Sequence, residues 1–172
     1  RKFYKFIRGV EGKGKYPHEV DWFTVSLSNG KKKLPEELLT NEEMESLIRK
    51  CQNERDRAFV AVLCESGARV GEIFNLKIKH VAFEQYGARL TLSGKTGMRK
   101  ILVIGSCPYI QIWLNHHPDS DNGDAYLWVK GDGEPVSYTR MSNVLKNAAK
   151  RAGIKKRVNP HSFRHSRATL MA

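Results

Sequence analysis

Apolar residues along this chain recur at two different spacings, and the switch between them divides it into segments. Phe3, Phe6 and Ile7 fall at helical spacing in "RKFYKFIRG", with Gly9 placed to stop a helix. Residues 10–33 lose any period, and "EGKGKYPHEV" and "SNGKKK" have the Gly- and Lys-rich composition of a linker. The helical period returns in "LTNEEMESLIRKC", where Met44, Leu47, Ile48 and Cys51 share one face, and Thr40 with Glu43 supplies a capping box. "RAFVAVLCESG" is apolar on nearly every side and predicts a buried helix ended by Gly67. A short helix over "ARVGEIF" follows at once.

The middle of the chain changes period. "KIKHVAF", "RLTL" and "KILVI" alternate or run β-branched, and "SGKTGMR" sits between the last two as a Gly-containing hairpin. "CPYIQIWLNHH" is helical again, "PDSDNGD" is a polar turn, and "AYLWV" is a short buried segment. "SYTRMSNVLKNAAKRAGI" predicts an amphipathic helix with Gly153 near its end. A last helix opens with Asn159 as N-cap and Pro160 as its first residue. The sum is an α+β class, mainly helical, with one small antiparallel three-stranded sheet.

At 172 residues, 40% of them hydrophobic, one compact domain plus a short appendage is expected. The longest apolar run, Ala58–Cys64, is far short of a membrane span. Cys51, Cys64 and Cys107 are odd in number and unpaired in spacing, which predicts reduced thiols, a cytoplasmic location and no cysteine zinc site. The chain opens on Arg1 without a signal-peptide pattern and reads as a piece of a longer protein.

The net charge of +12 is unevenly placed. Residues 1–33 hold nine basic and three acidic side chains, and residues 135–172 hold nine basic and none acidic. Residues 34–134 are slightly acidic, with twelve against fifteen. Two basic ends on a near-neutral body fit a polyanion-binding surface, although solvated helix faces would carry the same charge. Charge alone does not separate DNA from RNA or anionic lipid.

Candidate chemistry gathers in three places. His161, Arg164 and His165 share one face of the last helix. Histidines four apart are also the geometry of helical zinc ligands, but Ser162 stands where a zinc protease needs its Glu, and Arg164 would set a positive charge beside the cation. A guanidinium fork with two imidazoles suits a phosphate better, and the imidazoles can exchange a proton near neutral pH. The plain alternative is a capped basic helix with surface histidines. Arg69, just past Gly67, sits on a rigid corner, where it could equally do no more than pair with Glu72. Lys95 lies at the hairpin tip, where a lysine is usually only solubilising.

Taken in order, these stretches resemble the catalytic domain of the tyrosine recombinases, the group of phage integrases and Xer-type proteins. "SGARVGEIFNL" is similar to that family's first box, "LSGKTGMRKILVI" to its lysine-bearing hairpin, and "NPHSFRHSRAT" to its second box. The resemblance covers residues 34–172 as a catalytic domain, and makes residues 1–33 the end of an upstream DNA-binding (core-binding) domain plus a basic linker. It implies double-stranded DNA as partner, no cofactor, no metal, and a homotetramer on DNA; a monomer in isolation is compatible with it, and the sequence does not fix that state. It further implies strand exchange through a 3′-phosphotyrosyl link. Arg69 and Arg164 would grip the phosphate, Lys95 would protonate the leaving 5′-oxygen, and His161 would assist the nucleophile. His165 would have a supporting role, hydrogen-bonding backbone or orienting its neighbours, and Glu72 would brace the first Arg. Lys31, Lys32, Lys33, Arg140, Lys146, Lys150, Arg151, Lys155, Lys156 and Arg157 are expected on DNA phosphates, giving salt-sensitive affinity.

One element of the family pattern is missing. The family's nucleophilic Tyr follows the second box by a few tens of residues, whereas Tyr4, Tyr16, Tyr86, Tyr109, Tyr126 and Tyr138 all precede it. No nucleophile is assigned, and the domain reads as C-terminally incomplete and inactive in cleavage by itself. Three other readings stay open: a DNA-binding fragment or degenerate recombinase that does not cut, a metal-dependent nuclease using the histidine face, and a purely structural basic domain.

Overall fold

In a computed structural model, residues 2–12, 15–22, 38–94 and 97–170 are described, and the chain divides into two units, 1–32 and 33–172. The first unit holds α1 (Lys2–Ile7), stopped by Gly9 at φ 59°, and a single turn α2 (His18–Asp21). That turn falls within residues 10–33, the stretch expected as a linker, of which 13–14 and 23–33 lie outside the described residues. Pro17 precedes it, and an ion pair between Arg8 and Glu19 (2.5 Å) ties it to the end of α1.

The second unit opens with α3 (Asn41–Arg49), whose capping box forms as predicted. The Thr40 hydroxyl accepts the Glu43 N–H (3.2 Å), and the Glu43 carboxylate accepts the Thr40 N–H (2.9 Å). At the centre runs α4 (Glu54–Ser66), with Phe59, Val60, Val62 and Leu63 wholly enclosed. Its burial extends to a charged pair that apolar spacing does not foretell. Arg55 and Asp56 are both buried and bonded at 2.5 Å, and Arg55 also donates to the Val129 carbonyl (3.1 Å). Pairing is what makes such burial tolerable.

After α5 (Val70–Phe74), the strand expected over 77–83 starts late. Residues Ile78–His80 form a 3-10 turn, because the His80 ring accepts the Lys77 N–H (3.1 Å) and Ile78 donates to the Ala125 carbonyl. Strands β1 (Val81–Glu84), β2 (Gly87–Gly94) and β3 (Gly97–Val103) then pair antiparallel in the order β1-β2-β3. The remaining helices are α6 (Cys107–Asn115), α7 (Tyr138–Arg151) and α8 (Pro160–Leu170). The "AYLWV" stretch is buried through Leu127, Trp128 and Val129 but makes only isolated bridges. Trp128 stacks edge-on against Phe59 (5.2 Å between ring centres) and donates to the Ile73 carbonyl, fixing α5 against α4. The α+β architecture is therefore the predicted one. No described helix is long and apolar enough to cross a membrane.

A carboxylate from α4 closes the sheet-to-helix junction. Glu65 accepts three consecutive backbone N–H groups, from Ile104 (2.7 Å), Gly105 (3.1 Å) and Ser106 (2.8 Å), and the Ser106 hydroxyl (2.7 Å). Burial pushes this carboxyl up, but the four donors outweigh burial and hold it below its ordinary value of 4.5. A depressed folded value means stability that is present above 4.5 and is lost as the pH falls below it. Glu65→Gln is expected to cost about 2 kcal/mol in urea unfolding at neutral pH. The gap between wild type and variant should narrow on acidification.

Candidate active site

Gly67 ends α4 in the left-handed region (φ 54°), and the chain turns directly into α5, with Arg69 as the extended residue before it. Glu72 reaches back to this corner. Its carboxylate accepts the Arg69 backbone N–H (3.0 Å) and the Arg69 guanidinium (3.2 Å). The pairing that would explain Arg69 away thus does form. It is lopsided, however, with the Glu72 side chain 3% exposed and Arg69 47% exposed, so the carboxylate is inside and the guanidinium faces solvent.

The second cation arrives from the far end of the sequence. Pro160, Ser162, Phe163 and Ser166 form the buried face of α8. Two of them are also bonded: the Ser166 hydroxyl accepts the Leu39 N–H (2.8 Å), and the Ser162 hydroxyl donates to the Arg157 carbonyl (2.9 Å). Asn159 caps the helix through the Ser162 N–H (3.0 Å), as expected. With that face inward, His161, Arg164 and His165 are exposed. Arg164 donates to the Gly67 carbonyl (3.1 Å), at the turn that presents Arg69. A Cβ at Gly67 would lie 3.2 Å from the Arg167 side chain, so glycine is what lets α8 cross this closely. Arg164 therefore stands at a backbone position only about 7 Å of chain from Arg69.

Neither imidazole, of His161 or His165, is hydrogen-bonded to another described residue, so of the two supporting roles expected of His165 the described residues show no backbone bond. Lys95 and Lys31–Lys33 lie outside the described residues. The strand ends flanking Lys95 pair Gly94 with Gly97, and a Cβ at Gly94 would come within 2.6 Å of the Glu72 carboxylate. The hairpin thus begins against the same carboxylate that holds Arg69.

Arg99 was not foreseen among the candidates. It donates from its two terminal guanidinium nitrogens to Glu72, at 2.9 and 2.7 Å. A signal was available: strand alternation puts residue 99 on the side of Ile101 and Val103, where a charge needs a buried partner. Burial pushes the Glu72 carboxyl up, but the Arg69 N–H and the two guanidinium groups outweigh it and hold it below its usual range.

The expected phosphate contacts divide. Lys146, Lys150 and Arg157 line a groove of about 510 Å³ between α7 and the segment before α8, while Arg140 opens onto another pocket with Lys130. Lys155 is exposed. Lys156 also borders the groove, yet its ammonium is engaged by Glu43 (2.8 Å) and the Leu38 carbonyl (2.7 Å), which makes it a tie between α3 and the α8 approach. Arg151 donates to the Lys50 carbonyl (2.9 Å). Among the described residues no group of three or more His, Cys, Asp or Glu could hold a metal ion.

Residues 37–172 match the sequence pattern of the phage integrase family. Tyrosine recombinase XerA of Pyrococcus furiosus is 35% identical over 147 residues, covering 81% of this chain and 50% of that protein. Tyrosine recombinase XerD of Corynebacterium glutamicum is 32% identical over 119 residues, covering 67% of this chain and 38% of that protein. The chain thus spans half or less of the length of these two relatives. A crystal structure of XerA recombinase superposes with a TM-score of 0.68 at 28% identity, over 78% of this chain and half of the other. A XerH site-specific recombinase bound to its difH substrate shares the fold, with a TM-score of 0.67 at 24% identity, over 82% of this chain and 43% of the other. Match, relatives and fold agree: the chain belongs to the phage integrase family of tyrosine recombinases.

Proposed function

We propose that this protein acts in site-specific DNA recombination, with residues 34–172 as its catalytic domain and residues 1–33 as the end of a DNA-clamping domain and linker. The observation that supports the reading is the Arg164 hydrogen bond to the carbonyl of Gly67, two residues before Arg69 in the chain. Negative charge builds on the non-bridging oxygens when an oxygen nucleophile attacks a backbone phosphate. Arg69 and Arg164 are the forked cations to meet it. A tyrosine oxygen attacks, forms the 3′-phosphotyrosyl bond and displaces the 5′-oxygen, which takes a proton from Lys95. His161 receives or shares the phenol proton. A partner strand's 5′-hydroxyl then reverses the step, so the bond energy is retained and no cofactor is needed. The six tyrosines of this sequence precede the second box, and none is given the nucleophile's role.

Double-stranded DNA is the partner, held along the Lys146, Lys150 and Arg157 groove, with four protomers assembling on it in the cytoplasm. The XerH structure, described as bound to its difH substrate, supports a DNA partner by similarity of fold.

The test is a nicked duplex carrying the authentic site, incubated with the complete gene product and analysed under denaturing conditions. A DNA–protein adduct that forms equally well with a chelator present is expected. Retention of the DNA without an adduct would favour a binding-only protein, and loss of cleavage in chelator would favour a metal nuclease.

A further inference from the structure

Glu72 is one buried carboxylate shared by two guanidinium groups. A carboxylate offers about four acceptor sites. Here four donors fill them, two from the Arg99 fork and two from Arg69, its backbone N–H and one guanidinium nitrogen. We propose that Arg99 is a positioning residue for the phosphate grip of Arg69, acting through the Glu72 carboxylate. The inference rests on the recombinase reading above.

Two physical consequences follow from the shared carboxylate. The first is geometric. A bidentate fork fixes the plane of the carboxylate, and so fixes which edge of Arg69 is held and which faces outward. The second is electrostatic. Glu72 alone would cancel the charge of Arg69, whereas two guanidinium groups on one carboxylate leave the corner with a net positive charge. A phosphate is attracted to the triad and would not be attracted to the pair. Gly94 belongs to the same device. Its backbone conformation is open to any residue, but a Cβ would meet Glu72 Oε1 at 2.6 Å and the Glu72 Cγ at 2.9 Å. An alanine there displaces the carboxylate without altering any charge.

The experiment measures adduct formation by the complete gene product on two nicked duplexes. One carries an ordinary phosphodiester at the cut position, and the other carries a methylphosphonate, in which a methyl group replaces one charged oxygen. Without that charge the transition state needs less from Arg69. Arg99→Ala and Gly94→Ala are each expected to slow phosphodiester cleavage by about 10²-fold, the scale of a small misplacement of a catalytic group. Relative to wild type, the loss should shrink on the methylphosphonate. Arg99→Lys keeps the charge and loses the fork, so it should show the same pattern, and it supplies the reading should thermal unfolding show that Arg99→Ala does not fold. Equal losses on both substrates, or none on either, overturn the proposal. Wild-type protein that forms no adduct on either substrate sinks the recombinase reading itself, and this inference with it.

Discussion

Alanine at Arg69 or at Arg164 is expected to slow adduct formation by about 10²–10³-fold each, while the protein stays folded. The large kinetic effect follows from where the charges stand. Both side chains are exposed, and Arg164 is held by the carbonyl of Gly67, two residues before Arg69. Neither fills a cavity or leaves a buried charge behind, because Glu72 keeps its Arg99 fork when Arg69 is shortened. Stability should therefore change by about 0.5 kcal/mol or less at Arg164 and only somewhat more at Arg69, as for ordinary surface substitutions. Lysine is not expected to rescue either site, since a point charge cannot offer two parallel donors to one phosphate. The double variant should lose less than the product of the two single losses, because the two groups serve one transition state. Adduct rates with saturating DNA, set beside thermal unfolding of the same preparations, measure both halves. Unchanged rates in both variants would leave only a structural basic domain.

Phe163→Ala should do the reverse and weaken fold and site together. Phe163 is fully buried in α8, directly before Arg164. Truncating a buried Phe costs about 3–5 kcal/mol, a large part of the stability of a domain this size. The melting temperature should fall by about 10 °C or more. Since the ring seats the helix that aims His161 and Arg164, adduct formation should fall even at temperatures where the variant is folded. Phe163→Leu, closer in volume, should recover most of both. A variant that lost stability but kept the wild-type rate when folded would show that the outward face of α8 does not depend on this anchor.

The contrast between these variants marks how far the sequence could be read. The outward face of α8 was legible because helical spacing and polarity agree over residues 160–166, and the local caps at Thr40 and Asn159 were legible for the same reason. The sheet was placed correctly except at its entrance, where a His80–Lys77 side-chain bond outcompeted the strand pattern of residues 77–80. Contacts across long separations were not legible. Lys156 has the composition of a DNA-contacting residue, yet Glu43 lies more than a hundred positions away in sequence and claims it.

Local sequence determined the helices, their caps, the three-stranded sheet and the identity of the phosphate-binding candidates, because periodicity and capping act between neighbours a few residues apart. Only the tertiary structure decided that Arg164 reaches the Gly67 turn, that Arg99 shares Glu72 with Arg69, and that Lys156 is tied to Glu43. Those outcomes depend on which surfaces come to face each other when the core closes. A hydrogen bond between distant residues leaves no periodic trace in a single chain.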